Sequence, residues 1–248
     1  VRDPPALRPA RLSVAAKVVQ CRARVEAVRS LTPEILEADF RLDEPAELHF
    51  DAGQWVSVPF GPKTVRAYSI ASVPSNRRLI TLSADVAPDG IGSRWFRDLK
   101  VGEAAEFKGP TGGFVFNRAD PRRPLFVAEE IGIVPIRSIL WDLYQTGFGR
   151  PAGLVYWTRD PSWLAYDAEF RHLTRRYPGF SYHPVVREAG SDWVGEKGEA
   201  PGLVNRLVGS VDGLIAYVSG GGQMINKVRE VLMAKGMERK AVKWEKFW

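Results

Sequence analysis

The chain has 248 residues, 45% of them hydrophobic and 26% charged. That is enough for one large core or two ordinary ones, and it excludes disordered and collagen-like classes. Its 35 basic and 29 acidic residues leave a net charge of +6, an excess spread along the chain rather than gathered into the patch a nucleic-acid binder needs, so no nucleic-acid partner is expected.

A single cysteine, Cys21, and three scattered histidines, His49, His172 and His183, supply no ligand set for a cluster or a structural zinc ion, and no metal site is expected. No apolar run reaches the roughly 18 residues of a membrane span, and residues 1–11 lack the apolar stretch of a leader; a soluble, cytoplasmic protein is expected.

From residue 15 to residue 116 short apolar runs alternate with Gly, Pro, Asp and Asn: Val18–Val28, Ile35–Leu42, Gln54–Phe60, Leu79–Val86 and Ala104–Lys108. This rhythm predicts strands of an antiparallel barrel or sandwich. Arg, Asp and Pro then cluster in Asn117–Pro124 as in a linker. Beyond it the pattern becomes strand Leu125–Ala128, helix Pro135–Thr146, strand Gly153–Trp157, helix Asp167–Arg176 and strand Phe180–Val186. A polar loop through Gly198 leads to a helix near Pro201–Val208, strand Gly213–Val218 and helix Gln223–Lys235. Such alternation predicts a doubly wound, mainly parallel sheet. The basic residues at the end, Lys235, Arg239, Lys240, Lys243 and Lys246, are expected on a solvated helical face.

Five short motifs carry chemistry. Arg66-Ala67-Tyr68-Ser69, with Ser72 close behind, follows the Gly53-Gln54-Trp55-Val56 run; a guanidinium offers a fork of donors to phosphate, and a tyrosine offers a flat face to a ring. Gly90-Ile91-Gly92-Ser93 opens a helix, where backbone amides hold an anion or Ser93 serves as an ordinary N-cap. Phe107 to Phe114 contains a Gly109-Pro110 turn. Gly132-Ile133-Val134-Pro135 leaves a strand for a helix with proline in its first turn, where a missing N–H costs nothing. Ser219-Gly220-Gly221-Gly222-Gln223-Met224 follows the last predicted strand.

In this order and spacing the motifs resemble the ferredoxin-NADP reductase superfamily, and the likeness covers nearly everything after residue 14. The resemblance implies an antiparallel β-barrel flavin-binding domain over residues 12–118. A doubly wound α/β nucleotide-binding domain would follow over residues 124–248. It implies FAD, with phosphates held by Arg66 and by the turn Gly90, Ile91, Gly92 and Ser93, and with the ring placed by Ala67, Tyr68 and Ser69. NADH or NADPH is the implied co-substrate, received by Gly132, Pro135, Gly220, Gly221, Gly222 and Met224, with Thr158 and Arg159 at its adenosine end. Ser219 stands where the family has a cysteine beside the nicotinamide, so Tyr68, Ser69 and Ser219 are the implied catalytic positions. Trp193, Gly195 and Gly198 match a family stretch read as structural. Trp244-Glu245-Lys246-Phe247-Trp248 resembles the family's Glu-x-Phe terminus, with Trp248 either covering the flavin or packing on the surface. The implied acceptor is a separate ferredoxin, flavodoxin, cytochrome or oxygenase component.

One stretch departs from the family. Glu129, Glu130 and Ile131 stand where a Gly-Gly-Thr is usual. A carboxylate ~5 Å from a diphosphate charge opposes binding by roughly 3 kcal/mol at an effective dielectric of about 20, a hundredfold in affinity, unless one of them pairs with a base such as Arg137. Two further readings therefore stay open: a flavoprotein electron-transfer subunit with a disabled nicotinamide site, and a non-redox binding module on the same fold.

Overall fold

The computed structural model describes residues 17–247. Trp248, a predicted cofactor neighbour, lies outside the described residues, as does the start of the predicted first domain at residue 12.

The first six strands are β1 (Val19–Ser30), β2 (Ile35–Glu44), β3 (Trp55–Pro59), β4 (Val65–Ser69), β5 (Leu79–Asp85) and β6 (Ala104–Thr111), with helix α1 (Ile91–Asp98) before β6. They form one antiparallel sheet in the order β4-β3-β6-β1-β2-β5. A bridge between Ile70 and Leu82 joins its two ends into a barrel. The period of two seen in sequence is the pleat itself. In β1, Cys21, Ala23 and Val25 are buried while Gln20, Arg22 and Arg24 face water. The barrel interior gathers Phe40, Val56, Tyr68, Ile80, Leu82 and Phe107, with Phe96 of α1 closing one end.

The remaining strands are β7 (Arg123–Glu129), β8 (Ala152–Thr158), β9 (Phe180–Val186), β10 (Glu196–Lys197), β11 (Leu214–Gly220) and β12 (Val242–Lys246). The helices between them are α2 (Ile133–Gln145), α3 (Asp167–Arg176), α4 (Ala200–Leu207) and α5 (Gly222–Ala234). All neighbouring strands are parallel, in the order β10-β9-β8-β7-β11-β12. Both faces are covered. Phe126, Ala128, Tyr156 and Tyr217 pack toward α2 and α3, whereas Leu125, Val127, Val155 and Val218 pack toward α4 and α5. Burial on both faces is why these strands read as continuous apolar runs.

The α2 face of the sheet carries its core into the barrel: Ile35, Ala52, Ala71, Phe114 and Phe116 belong to the same buried cluster. Phe114 meets Tyr217 edge to face at 5.7 Å. Polar ties cross the same seam. Ser138 donates its hydroxyl to the Ser72 carbonyl (2.7 Å) and Arg137 donates to the Ala71 carbonyl (2.8 Å). The buried Tyr166 hydroxyl donates to the Glu37 carboxylate, to which Ser83 also donates (3.1 Å). The loop just after Ser69 is thus fastened directly to α2.

Two expectations fail, one in the tail and one before α4. The last basic residues do not share a helical face: α5 stops at Ala234, Arg239 and Lys240 lie in a 3-10 turn, and Lys243 and Lys246 lie on β12. Hydrogen bonding of Val242–Lys246 to β11 overrides the charge pattern. The loop before Gly198 likewise contains the two-residue β10, paired with the end of β9. Among the described residues no helix is long and apolar enough to cross a membrane, and no group of His, Cys, Asp and Glu is placed to hold a metal ion.

Candidate functional site

Two frames of backbone amides at element ends lie among the described residues, one in each half. In the barrel, β4 delivers Arg66 and Ala67 to the surface and buries Tyr68 and Ser69. Helix α1 begins at Gly90 without any side-chain cap, and Ser93 sits inside the helix, its hydroxyl directed to the Asp85 carbonyl (3.4 Å). Ser93 is therefore not the N-cap, and the first amides of α1 are left to an outside acceptor. Strand β4 and the start of α1 meet at Gly92. A Cβ there would lie 2.3 Å from the Tyr68 hydroxyl and 3.4 Å from Arg66 Cγ, so only glycine lets the helix start approach the β4 side chains. The Arg66 guanidinium is exposed and donates to the neutral Val65 carbonyl (2.9 Å). No ion pair to Arg66 occurs among the described residues. A guanidinium without an acidic partner, set against an uncapped helix start, is the donor set a diphosphate calls for, and it fits FAD.

Tyr68 is less open than the sequence suggests. Its ring packs against Trp95 (5.9 Å) and Phe96 (5.2 Å), and burial pushes its hydroxyl up to about 12. It is a neutral wall of the cradle. Ser69, buried, stands opposite Trp55 in the β3–β4 ladder.

The second frame is the crevice where the strand order reverses between β7 and β11, outside the carboxyl ends of β7, β8 and β11, the place at which open α/β sheets take ligands. Gly132 lies in the turn after β7, and a Cβ on it would stand 2.5 Å from the Ser219 carbonyl oxygen. Its role is close packing of that turn on β11. Pro135 is buried in the first turn of α2. Gly220 ends β11 and accepts from the Phe247 amide (3.1 Å), while Gly221 caps α5 and Gly222 begins it. Met224 is buried behind them. A groove of about 460 Å³ runs past Glu129, Gly221, Gly222, Gln223, Asn226 and Lys246.

Two carboxylates occupy the amides of this crevice. Glu129 accepts from the Gly221 amide (2.6 Å). Glu130, held at a left-handed φ of 49°, accepts from the Arg159 amide (3.0 Å). Burial raises both carboxyl pKa values, that of Glu130 to about 7. Neither pairs with Arg137, which instead makes a two-pronged bond to Glu169 (2.9 and 3.0 Å). Of the two residues expected at an adenosine end, Thr158 is buried and donates to the Asp160 carbonyl (2.9 Å), and the exposed Arg159 guanidinium lies over the Trp163 ring (4.1 Å).

Deeper on the same strands, Ser219 stands in register with Glu245 of β12. The Ser219 hydroxyl and Glu245 Oε2 are both buried without a hydrogen-bond partner, and burial lifts the Glu245 carboxyl to about 7. Two orphaned polar groups side by side, on the sheet face that meets the barrel, mark a place built for a polar ligand. Sequence reasoning passed over Glu245 as a site residue; the Glu-x-Phe terminus was its only signal.

Comparison with known proteins agrees with this geometry. Residues 22–116 match the family described as oxidoreductase FAD-binding domain, and residues 126–230 match the oxidoreductase NAD-binding domain. The chain is 29% identical over 235 residues to ferredoxin–NADP reductase B of Sorangium cellulosum (strain So ce56), covering 91% of this chain and 96% of that protein. It is 30% identical over 233 residues to DmpP, the reductase component of phenol 2-monooxygenase of Pseudomonas sp. (strain CF600), covering 92% of this chain but 65% of the relative. The fold is shared with the Amycolatopsis cytochrome P450 reductase GcoB at a TM-score of 0.87 and 22% identity, over 94% of this chain and 71% of that one.

Proposed function

The chain belongs to the ferredoxin-NADP reductase superfamily of flavin-dependent NAD(P)H oxidoreductases, and from that premise we propose that it serves as the reductase of a two-protein electron-transfer pair. The observation that carries this reading is the contact at Gly92, where the Arg66 side chain lies against the uncapped start of α1. When bound there, FAD would supply the exchange between two-electron hydride chemistry and one-electron transfer.

The chain's own residues do the rest. Arg66 and the amides of Ile91, Gly92 and Ser93 would hold the diphosphate, the Gly90 amide being engaged by the Pro88 carbonyl (2.8 Å); Ala67, Tyr68 and Ser69 would fix the entry to the barrel wall. Ser219 and Glu245 present a hydroxyl and a carboxyl to the reacting end, with Glu245 Oε2 holding a proton below about pH 7. The seam between barrel and sheet excludes water from that place. Domains spanning residues 12–118 and 124–248 go with this reading, as does a separate acceptor such as a ferredoxin, flavodoxin, cytochrome or oxygenase component.

The test is direct. Purified chain supplied with FAD should become yellow, retain the flavin through gel filtration, and after chemical reduction pass electrons to an added ferredoxin or cytochrome. A chain that stays colourless overturns the reading.

A further inference from the structure

Carboxylates stand where a dinucleotide needs donors. The crevice at the sheet reversal offers two strand-end amides, that of Gly221 at the cap of α5 and that of Arg159 after β8, and each is already taken by a side chain from one turn. Helix starts and strand ends of this kind bind anionic diphosphates because N–H groups converge on them. Here Glu129 and Glu130 supply the anions from within, and while they hold the Gly221 and Arg159 amides those donors are closed to a diphosphate.

We propose that Glu129 and Glu130 form an internal anionic plug that determines access to the dinucleotide site: a nicotinamide dinucleotide enters only when both carboxylates are neutralised or swung off the Gly221 and Arg159 amides. The inference rests on reading this crevice as the dinucleotide site, and it adds to that reading the condition under which the site opens.

The surroundings favour a plug that is only weakly held as an ion. Glu130 Oε2 is buried with no partner, and Glu130 stands at a positive φ of 49°, a conformation costly for a residue with a side chain. The charged and titratable groups facing the pair come from several elements. Arg187 beyond β9 lowers the Glu129 pKa and Glu199 before α4 raises it. Arg159 lowers the Glu130 pKa, and Asp85 at the end of β5 raises it, as does Glu129 itself. The buried phenol of Tyr156 feels Glu130 in turn. Lys246 of β12 lies along Gly222, its Cε 3.1 Å from where a Cβ would stand, in the same groove as Glu129. Arg187 is itself engaged with Glu199 (2.8 Å). Burial dominates both carboxyls and makes each easier to protonate than an exposed one, Glu130 as the pH falls through about 7, and a protonated side chain holds its amide less strongly.

The experiment is calorimetric titration of the FAD-loaded chain, and separately of the chain without added FAD, with NAD+ and with NADP+, at about pH 8 and about pH 6. Wild type is compared with E129Q/E130Q and with E129G/E130G. The plug predicts weak binding by wild type at pH 8, tightening ~10-fold or more at pH 6. It predicts a ~10- to 100-fold tighter and nearly pH-independent site in both variants, the scale of one or two opposing charges. Wild type should also take up protons on binding, seen as a heat that differs between buffers of different ionisation enthalpy, and E129Q/E130Q should not. The same ligand is compared across proteins, so its own titration cancels. Thermal melting identifies any variant that fails to fold, and the glutamine pair, nearly isosteric, guards against that outcome. Affinities at pH 8 within twofold of one another in all three proteins, including absence of binding in all three, overturn the plug. Failure to take up FAD would overturn the flavin reading instead, while the calorimetry still reports on the dinucleotide.

Discussion

The cradle at β4 and α1 and the crevice at β7, β8 and β11 use the same backbone device, converging amides at an element's end, yet they present opposite faces to an anion. At α1 the helix start is uncapped and Arg66 lies against it; the neighbouring carboxylate, Asp89, is engaged by Arg97 and Arg94. At α5 the cap amide is engaged by Glu129, and a second carboxylate holds the Arg159 amide. Converging N–H groups therefore define where an anion sits, while the side chain placed beside them decides whether that anion comes from outside or from the chain.

The contrast is breakable, and the largest effect is expected at Gly132. Gly132→Ala would push a methyl group into the Ser219 and Gly220 backbone, with contacts of 2.5 to 2.9 Å. Neither strand end can yield cheaply, and a loss of about 3 kcal/mol of stability is expected in denaturant melts. A stable G132A variant would show that the β7 turn stands farther from β11 than described.

Arg66→Ala comes next. Losing a charge-assisted phosphate contact worth ~1.5 to 3 kcal/mol should weaken FAD retention roughly 10- to 100-fold in a flavin-fluorescence titration, with little change in apoprotein melting. Unchanged affinity would make the two frames alike in having no external anion.

Glu245→Gln sharpens the crevice side. A carboxyl raised by burial from 4.5 to about 7 keeps its proton in the folded state longer than in the unfolded one. Its contribution is fully present below about pH 4.5 and is lost as the pH rises through about 7. E245Q should therefore raise stability by about 1 to 3 kcal/mol at pH 8 and hardly at all at pH 4.5; equal gains at both would place Glu245 in water. Ser219→Ala should have the smallest effect, no loss and up to ~1 kcal/mol gain in apoprotein stability, because it removes a buried hydroxyl that has no partner. A clear loss would mean that hydroxyl is already bonded.

Strands β1, β2, β3, β5 and β6, and the alternation from β7 to α5, were legible because each is set by local periodicity: two for a half-buried strand, 3.6 for a helix, apolar runs for strands covered on both faces. β10 and β12 were not. Glu196–Lys197 has no apolar signal at all, and Val242–Lys246 carries two lysines and a glutamate; each is a strand only because a neighbour offers it hydrogen bonds. The site divides the same way. Arg66, Tyr68, Ser69 and the Gly90–Ser93 turn were visible as residue types in order, whereas their meeting at Gly92 depends on a contact between β4 and α1 that spacing does not encode.

By itself, the order of residues determined the succession of elements, the two glycine-rich anion frames and the presence of two misplaced carboxylates. Only the tertiary structure decided where those carboxylates go, since their partners lie 92 and 29 residues away. It likewise decided that Glu245 Oε2 and the Ser219 hydroxyl are buried on neighbouring strands without partners. The physical reason is that periodicity is a property of neighbours along the chain, whereas the direction and ionisation of a charge follow from desolvation and from donors that distant segments bring to it.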